Sequence, residues 1–316
     1  MIRHAHSGDW IGTFQGHKGA VWSAKLDPTG NLAATASGDF SVVLWDAITG
    51  SLLTTLVHGH IVKSVDFSPD SQRLCSGGHE GIVRVYDLVK VLNHTSGGGG
   101  DKEENRRPQV SIPQMEKGEK KIVITKCLWI NQDIILVAAS DGKVRCWNVP
   151  FQNRSSNSDG ESNPPFLLLH TLSVEAEVRD MELTTNPDPN TKNARSILTV
   201  AAGTTVSFFE LLLRSPNTTT TSSSSSPILT STLLKAHKLP IHFQEEGGAS
   251  LHPSGRKFIA GGSDLWVRVF DFESGEELEC NKGHHGPVRC LRYAPNGETY
   301  ATGSEDGTIR LWKTDP

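Results

Sequence analysis

The chain has 316 residues, with 31 Lys and Arg against 35 Asp and Glu, a formal net charge of −4. That balance gives no strongly basic face of the kind that tracks nucleic acid, and no stretch reaches the ~18 uncharged apolar residues of a membrane helix. Hydrophobic residues at 36% supply a core, and the start MIRHAHSGDW lacks the apolar run of a secretory signal, so a soluble intracellular protein is expected.

The first strand-like segment is DWIGTF at Asp9–Phe14. After it, at Gly16-His17, opens a unit that returns almost unchanged near the end: GHKGAVWSAKLDPTGNLAATASGDFSVVLWD from Gly16 and GHHGPVRCLRYAPNGETYATGSEDGTIRLWK from Gly283. His17 precedes Asp39 by 22 residues and Asp39 precedes Trp45 by 6; His284, Asp306 and Trp312 repeat both spacings. The first unit reads as four strands, Val21–Leu26, Leu32–Ala36, Val42–Trp45 and Leu52–Val57. Turns at Asp27-Pro28-Thr29-Gly30, Gly38-Asp39 and Thr49-Gly50 separate them, because Pro presets φ and Gly tolerates positive φ.

Weaker copies follow in order. Gly59-His60 leads to Glu80 and Tyr86, Asp141 to Trp147, and Ala236-His237 to Asp264 and Phe270, while SILTVAAGTTVSFFEL keeps an aromatic at Phe209 without the acid. The aromatic marks Trp45, Tyr86, Trp147, Phe209, Phe270 and Trp312 lie 41, 61, 62, 61 and 42 residues apart. The period is thus about 41, with some 20 extra residues in three units. A four-strand period of this length with Gly-His and Trp-Asp marks predicts an all-β WD-repeat β-propeller with six repeat units. A single propeller domain over 1–316 is expected.

The extra residues fall at about 93–108, 152–165 and 213–227, which hold four successive glycines, an Asn/Ser/Asp-rich tract and nine successive Ser/Thr. Such composition buries little apolar surface, so mobile insertions between third and fourth strands are expected. At the ends, the chain stops four residues after Trp312, one strand short of a full unit, so Trp10, Ile11 and Phe14 are expected to form a closure strand beside Ile309–Trp312.

Chemistry-bearing residues are scarce. His17, Ser37, Asp39, Trp45 and His284, Ser304, Asp306, Trp312 read as buried blade networks in which the acid accepts, the His relays and the indole donates. They repeat at blade period and lack a Gly-x-Ser-x-Gly elbow, which argues against a hydrolase. His4-Ala5-His6 and His58-Gly59-His60 do not make metal sites, and Gly97–Gly100 lacks the Gly-Lys-Ser/Thr of a phosphate loop. The charge run Glu116–Lys121 reads as a solvated loop. Cys75, Cys127, Cys146, Cys280 and Cys290 form no Cys-x-x-Cys pair and read as reduced core or near-core thiols. No catalytic residue, cofactor or metal is expected.

Beyond the generic repeat, GDWIGTFQGHKGAVWSAKLD (8–27), HIVKSVDFSPDS (60–71), ESGEELECNKGHHGPV (273–288) and GSEDGTIRLW (303–312) resemble the serine-threonine kinase receptor-associated protein family, also called the Unr-interacting protein family. The resemblance is weak between Asn93 and Pro240 except around Ser140–Trp147. It implies a non-catalytic, seven-bladed adaptor that works with the survival-of-motor-neuron complex in spliceosomal ribonucleoprotein assembly. In an animal it also implies receptor-kinase signalling partners; from the charge balance and the lack of a long apolar run no direct nucleic-acid or membrane contact is expected, and a cytoplasmic and also nuclear location is expected. Members carry a further unit before DWIGTF and a tail after the last Trp, so this chain is expected to be either an abbreviated form or a six-unit variant. The WD-repeat subunit of translation initiation factor three is a second reading, and an enzyme using a propeller pocket a third. The partner-binding residues are not legible.

Overall fold

The computed structural model describes residues 1–4, 7–92, 107–113, 122–150, 166–187, 194–214, 228–243 and 247–314. The segments expected as mobile insertions lie outside these except at their margins. Their flanking strands show that each joins a third strand to a fourth, as the sequence pattern implied; Leu213 and Arg214, placed in the third insertion, instead end a strand.

The N-terminal strands β1 (Ile2–Arg3) and β2 (Trp10–Gly12) pair only with each other. Six repeat sheets follow in chain order. The first blade is β3 (Val21–Leu26), β4 (Leu32–Ser37), β5 (Ser41–Asp46) and β6 (Leu52–Val57). The second is β7 (Val62–Phe67), β8 (Arg73–Gly78), β9 (Ile82–Asp87) and β10 (Val110–Pro113). The third is β11 (Ile124–Trp129), β12 (Ile134–Ala139), β13 (Lys143–Asn148) and β14 (Leu167–Ser173). The fourth is β15 (Val178–Pro187), β16 (Ala194–Ala202), β17 (Thr205–Arg214) and β18 (Ile228–Lys238), and the fifth is β19 (Gly248–Leu251), β20 (Lys257–Gly261), β21 (Trp266–Asp271) and β22 (Glu277–Lys282). The sixth has three described strands, β23 (Val288–Tyr293), β24 (Thr299–Ser304) and β25 (Ile309–Lys313). The fold is a six-unit WD-repeat β-propeller. Among the described residues the only helix is the five-residue α1 (Leu88–Leu92), which the sequence did not signal.

The chain groups into two compact units, residues 1–171 and 172–316. In the first, blades one and two bury Ala34, Leu44, Val62, Val65, Leu74 and Tyr86 together, and blades two and three bury Cys75, Val83, Ile124, Cys127 and Val137. Gly77 of β8 allows this approach, since a Cβ there would lie 2.8 Å from Ile124 Cγ2. In the second unit a phenylalanine cluster, Phe208, Phe258, Phe270 and Phe272, joins blades four and five. Gly261 gives Val288 of blade six the same room that Gly77 gives Ile124.

First strands have one edge that no ladder covers, so side chains serve their backbone. The Cys127 amide donates to Ser64 Oγ (3.0 Å), the Trp129 amide to Asp66 Oδ2 (2.9 Å), and in the second unit the Tyr293 amide to Ser250 Oγ (3.1 Å). Arg73 is the tie between blades two and three. Its side chain is 2% exposed, donates to the Val149 carbonyl (2.6 Å) and to Asp133 (3.1 Å), and lies over the Trp129 ring. In the second unit Arg292 of β23 makes a bidentate pair with Asp180 of β15 at 2.7 and 2.9 Å.

Trp10 and Ile11, expected in a closure strand, lie in β2, which pairs with β1. Ile2 faces Gly12 and Arg3 faces Trp10, because a short turn closed by the Gly8 amide on the His4 carbonyl, with Gly8 at φ +74°, makes the local hairpin the easier pairing to form. Trp10 and Ile11 are exposed, and Phe14 stacks on Trp45 with ring centroids 5.1 Å apart.

Candidate functional site

In the blades that keep a β-turn acid, the loop end is set by how that acid is held. In blade one the Trp45 indole donates to Thr35 Oγ1 (2.8 Å), Thr35 meets His17 Nε2 (2.7 Å), and His17 Nδ1 meets Asp39 Oδ2 (2.8 Å). All donors point toward the carboxylate, which also accepts from the Lys18 amide (2.9 Å) and the Ser41 hydroxyl (2.6 Å). Burial pushes the Asp39 carboxyl up, but bonds from Ser41, the Lys18 amide and His17 outweigh it and hold the group well below the usual range. Blade six repeats the arrangement. Trp312 donates to Thr302 (2.8 Å), His284 Nε2 meets Thr302 (2.8 Å), and His284 Nδ1 lies 3.3 Å from Asp306. The Thr308 hydroxyl and the His285 amide keep the Asp306 carboxyl low.

The network hydroxyl is therefore Thr35 and Thr302, not Ser37 and Ser304. Both candidates point to one face of the second strand, two residues apart, but Thr35 sits within reach of the indole. Ser37, at the strand end, accepts the Asp39 amide (3.1 Å), and Ser304 bonds the Gly286 carbonyl (2.8 Å).

Blade two keeps the frame with other atoms. Its buried histidine is His58, 22 residues before Glu80, rather than His60. His58 Nε2 meets Ser76 Oγ (2.8 Å) and Nδ1 donates to the Leu56 carbonyl (3.2 Å), while Glu80 is taken by Arg84 (2.8 Å) and the Gly59 amide. Burial, with the Arg84 charge, pushes the imidazole down to about 4, so His58 is neutral. Blades three and five likewise bind the turn acid to the arginine four residues on, Asp141 to Arg145 and Asp264 to Arg268; the hydroxyl positions are Val137 and Ala260. His237, read as the mark opening blade five, is in β18 and donates toward the Phe272 carbonyl (2.8 Å).

The His and Asp side chains of the blade-one and blade-six frames are thus engaged in holding turns. Among the described residues no three His, Cys, Asp or Glu side chains gather into a metal-binding group. His6, Gly97–Gly100 and Glu116–Lys121 lie outside the described residues. All five cysteines are free; Cys75, Cys127 and Cys146 are buried, Cys280 is half-buried, and Cys290 is exposed rather than near-core.

What these frames present is a surface. At the loop end of blades one and two, Phe40 lies tilted against His60 (centroids 5.2 Å, 40° between planes) and His60 stacks on His79 (5.1 Å, 10°). The Ile61 amide donates to His60 Nδ1 (2.8 Å), fixing that ring. Beside them Lys63 Nζ lies 3.2 Å from the centre of the Trp22 ring. The sequence carried a signal for this cluster that was not read. Phe40 follows the turn acid where Gly81, Gly142 and Gly307 follow theirs.

Comparison with known proteins bears on what such a surface serves. The family model described as WD domain, G-beta repeat matches residues 8–46, 50–87 and 275–313, the first, second and sixth blades, where a histidine frame survives. The chain is 37% identical over 313 residues to the serine-threonine kinase receptor-associated protein of Dictyostelium discoideum, covering 99% of this chain and 86% of that one. The Gallus gallus protein of the same name is 37% identical, with 72% of it covered. Similarity to eukaryotic translation initiation factor 3 subunit I of Pyricularia oryzae is lower, 26% over 98% of this chain and 82% of that one. The solved structure titled "Structure of U3-55K" matches 95% of this chain and 79% of its own with a TM-score of 0.61 at 15% identity, a likeness of fold. With blades, frames and near-full-length identity in agreement, the chain belongs to the serine-threonine kinase receptor-associated protein family of WD-repeat proteins.

Proposed function

We propose that this protein is a non-enzymatic scaffold that works with the survival-of-motor-neuron complex in assembling spliceosomal ribonucleoproteins, in the cytoplasm and nucleus. Family membership carries the reading: 37% identity along almost the whole chain reaches a protein named for association with another protein, not for a reaction. The commitment of the frames' His and Asp side chains to turns supports the non-enzymatic part. Stiff sheets that hold many loops at fixed positions suit docking, while fold alone assigns no pathway. If the source is an animal, receptor-kinase signalling proteins are further partners.

Affinity purification of the tagged full chain from its source cells, read by mass spectrometry, tests this. Recovery of ribonucleoprotein-assembly proteins is expected. The 26% identity to initiation factor 3 subunit I favours a second reading, under which initiation-factor subunits would be recovered instead. Recovery of neither overturns both.

A further inference from the structure

Neighbouring blades join through the same positions wherever the chain builds a joint. Between blades one and two, Val62 and Val65 of β7 are buried with Val42 and Leu44 of β5. Between blades two and three, Ile124 and Cys127 of β11 meet Val83 and Val85 of β9. Between blades five and six, Val288 and Leu291 of β23 meet Val267 and Val269 of β21. Each joint thus has two halves. A third strand offers the residue before its aromatic mark and the one three before it, and the next first strand enters with a β-branched residue at its start.

Blade six carries the receiving half in Ile309 and Leu311, and blade one the entering half in Val21, Ala24 and Leu26. Their exposure sets them apart. The receiving residues of blades one to five, from Val42 and Leu44 to Val267 and Val269, are 2% exposed or less, whereas Ile309 is 53% and Leu311 41% exposed. The residues that open β7, β11, β15 and β23 are buried, and so are Phe67, Trp129 and Tyr293 at the ends of three of those strands. Val21 is 51% and Leu26 55% exposed. One exposed leucine needs no explanation. Four apolar side chains at positions that sister blades bury form two unpartnered faces.

Glycine shows that the receiving half is shaped for its occupant. Gly77 and Gly261 are the fifth residues of β8 and β20, and a Cβ on either would strike the residue opening the next first strand, Ile124 at 2.8 Å and Val288 at 2.9 Å. Gly303 is the fifth residue of β24, and among the described residues a Cβ there would meet only Cys290 Sγ of its own blade. Blade six therefore keeps room for a β-branched side chain. On the other face, Val21, Ala24, Leu26, Ala33 and Trp45 line a cavity of about 580 Å³.

We propose that the two faces join between copies of this chain, blade six of one copy receiving β3 of the next. Val21 lies over Gly303, and Ile309 and Leu311 of the first copy enter the cavity of the second. The occupant is chosen by the joints already present. What fits blade six is a first strand of this repeat, what fits blade one is a third strand, and one chain carries both. Such a contact is head-to-tail, so each copy can bind two others. It goes beyond the partners proposed above and does not depend on them.

Sedimentation of the full chain from about 1 to about 100 µM tests this, with Val21→Asp, Leu311→Asp and their equimolar mixture alongside. The mean mass of wild type should rise with concentration past that of a dimer. An aspartate at either place puts an unpaired charge inside the joint, so each variant alone should associate at least about tenfold more weakly. The mixture should form dimers and nothing larger, because each variant keeps the half that the other has lost. Both sites being exposed, the variants should keep the circular dichroism of wild type; were either to lose it, Val21→Ser and Leu311→Ser carry the same comparison. A wild type that stays monomeric overturns the proposal, as does a variant that associates undiminished or a mixture that stays monomeric.

Discussion

Blades one and two start from the same frame, a histidine 22 residues before an acid and a hydroxyl 18 residues after the histidine, and end in different electrostatics. In blade one the residue four places after the acid is Val43, and Asp39 turns to His17. In blade two it is Arg84, which takes Glu80 and leaves His58 with a carbonyl and a hydroxyl as partners. The arginine alone does not decide this, since blade six carries Arg310 four places after Asp306 and keeps His284 3.3 Å from that acid; the longer Glu80 also differs from Asp39 and Asp306. The consequence is chemical: His58, facing a cation and stripped of water, is driven to the neutral form.

The largest test of this comparison is Thr35→Val, which keeps shape but leaves the Trp45 indole and His17 Nε2 unpaired. Two orphaned buried groups should lower unfolding free energy by about 2–4 kcal/mol in urea titration. A second test uses pH. The folded pKa of His58, about 4, lies below its ordinary 6.5. Its contribution is therefore complete above pH 6.5 and is lost as pH falls toward 4. Between pH 7 and 4.5 wild type should lose about 2–3 kcal/mol more than His58→Gln, by denaturant titration at both values. Arg84→Val, which gives blade two the residue of blade one, should cost about 1 kcal/mol, and the His58 ring should titrate higher by NMR once the guanidinium is gone. Ser37→Ala removes only the acceptor of the Asp39 amide, so its cost should be about 0.5–1 kcal/mol. Equal losses for Ser37→Ala and Thr35→Val would reverse the assignment of the network hydroxyl.

Much of this was legible because a repeat states its rules several times. The 22- and 6-residue spacings named the histidine, acid and aromatic of blades one and six, and β3 and β6 have the limits read from the alternating pattern. What escaped was decided by distances of one or two residues. Thr35 and Ser37 share a face, and only the reach of the indole separates them. His58 and His60 flank one glycine, and the Gly-His pair drew the reading to the wrong one, although counting 22 back from Glu80 gives His58. The pairing of Ile2–Arg3 with Trp10–Gly12 escaped for another reason: two-residue and three-residue strands are too short to show an alternating pattern. Phe40 shows the value of aligning the units against each other, since its oddness appears only beside Gly81, Gly142 and Gly307.

Arrays of similar repeats can open one unit at a time, because each touches only its neighbours. Arg73 withdraws that option from blades two and three. Its guanidinium donates to the Val149 carbonyl and Asp133 and lies over the Trp129 ring, all of the next blade. If the third blade frayed alone, this buried guanidinium would lose those partners, so the amides of β8 and β12 should exchange with deuterium through a single shared opening. A lone arginine, contributed by one repeat and completed by the next, turns two modules into one cooperative block.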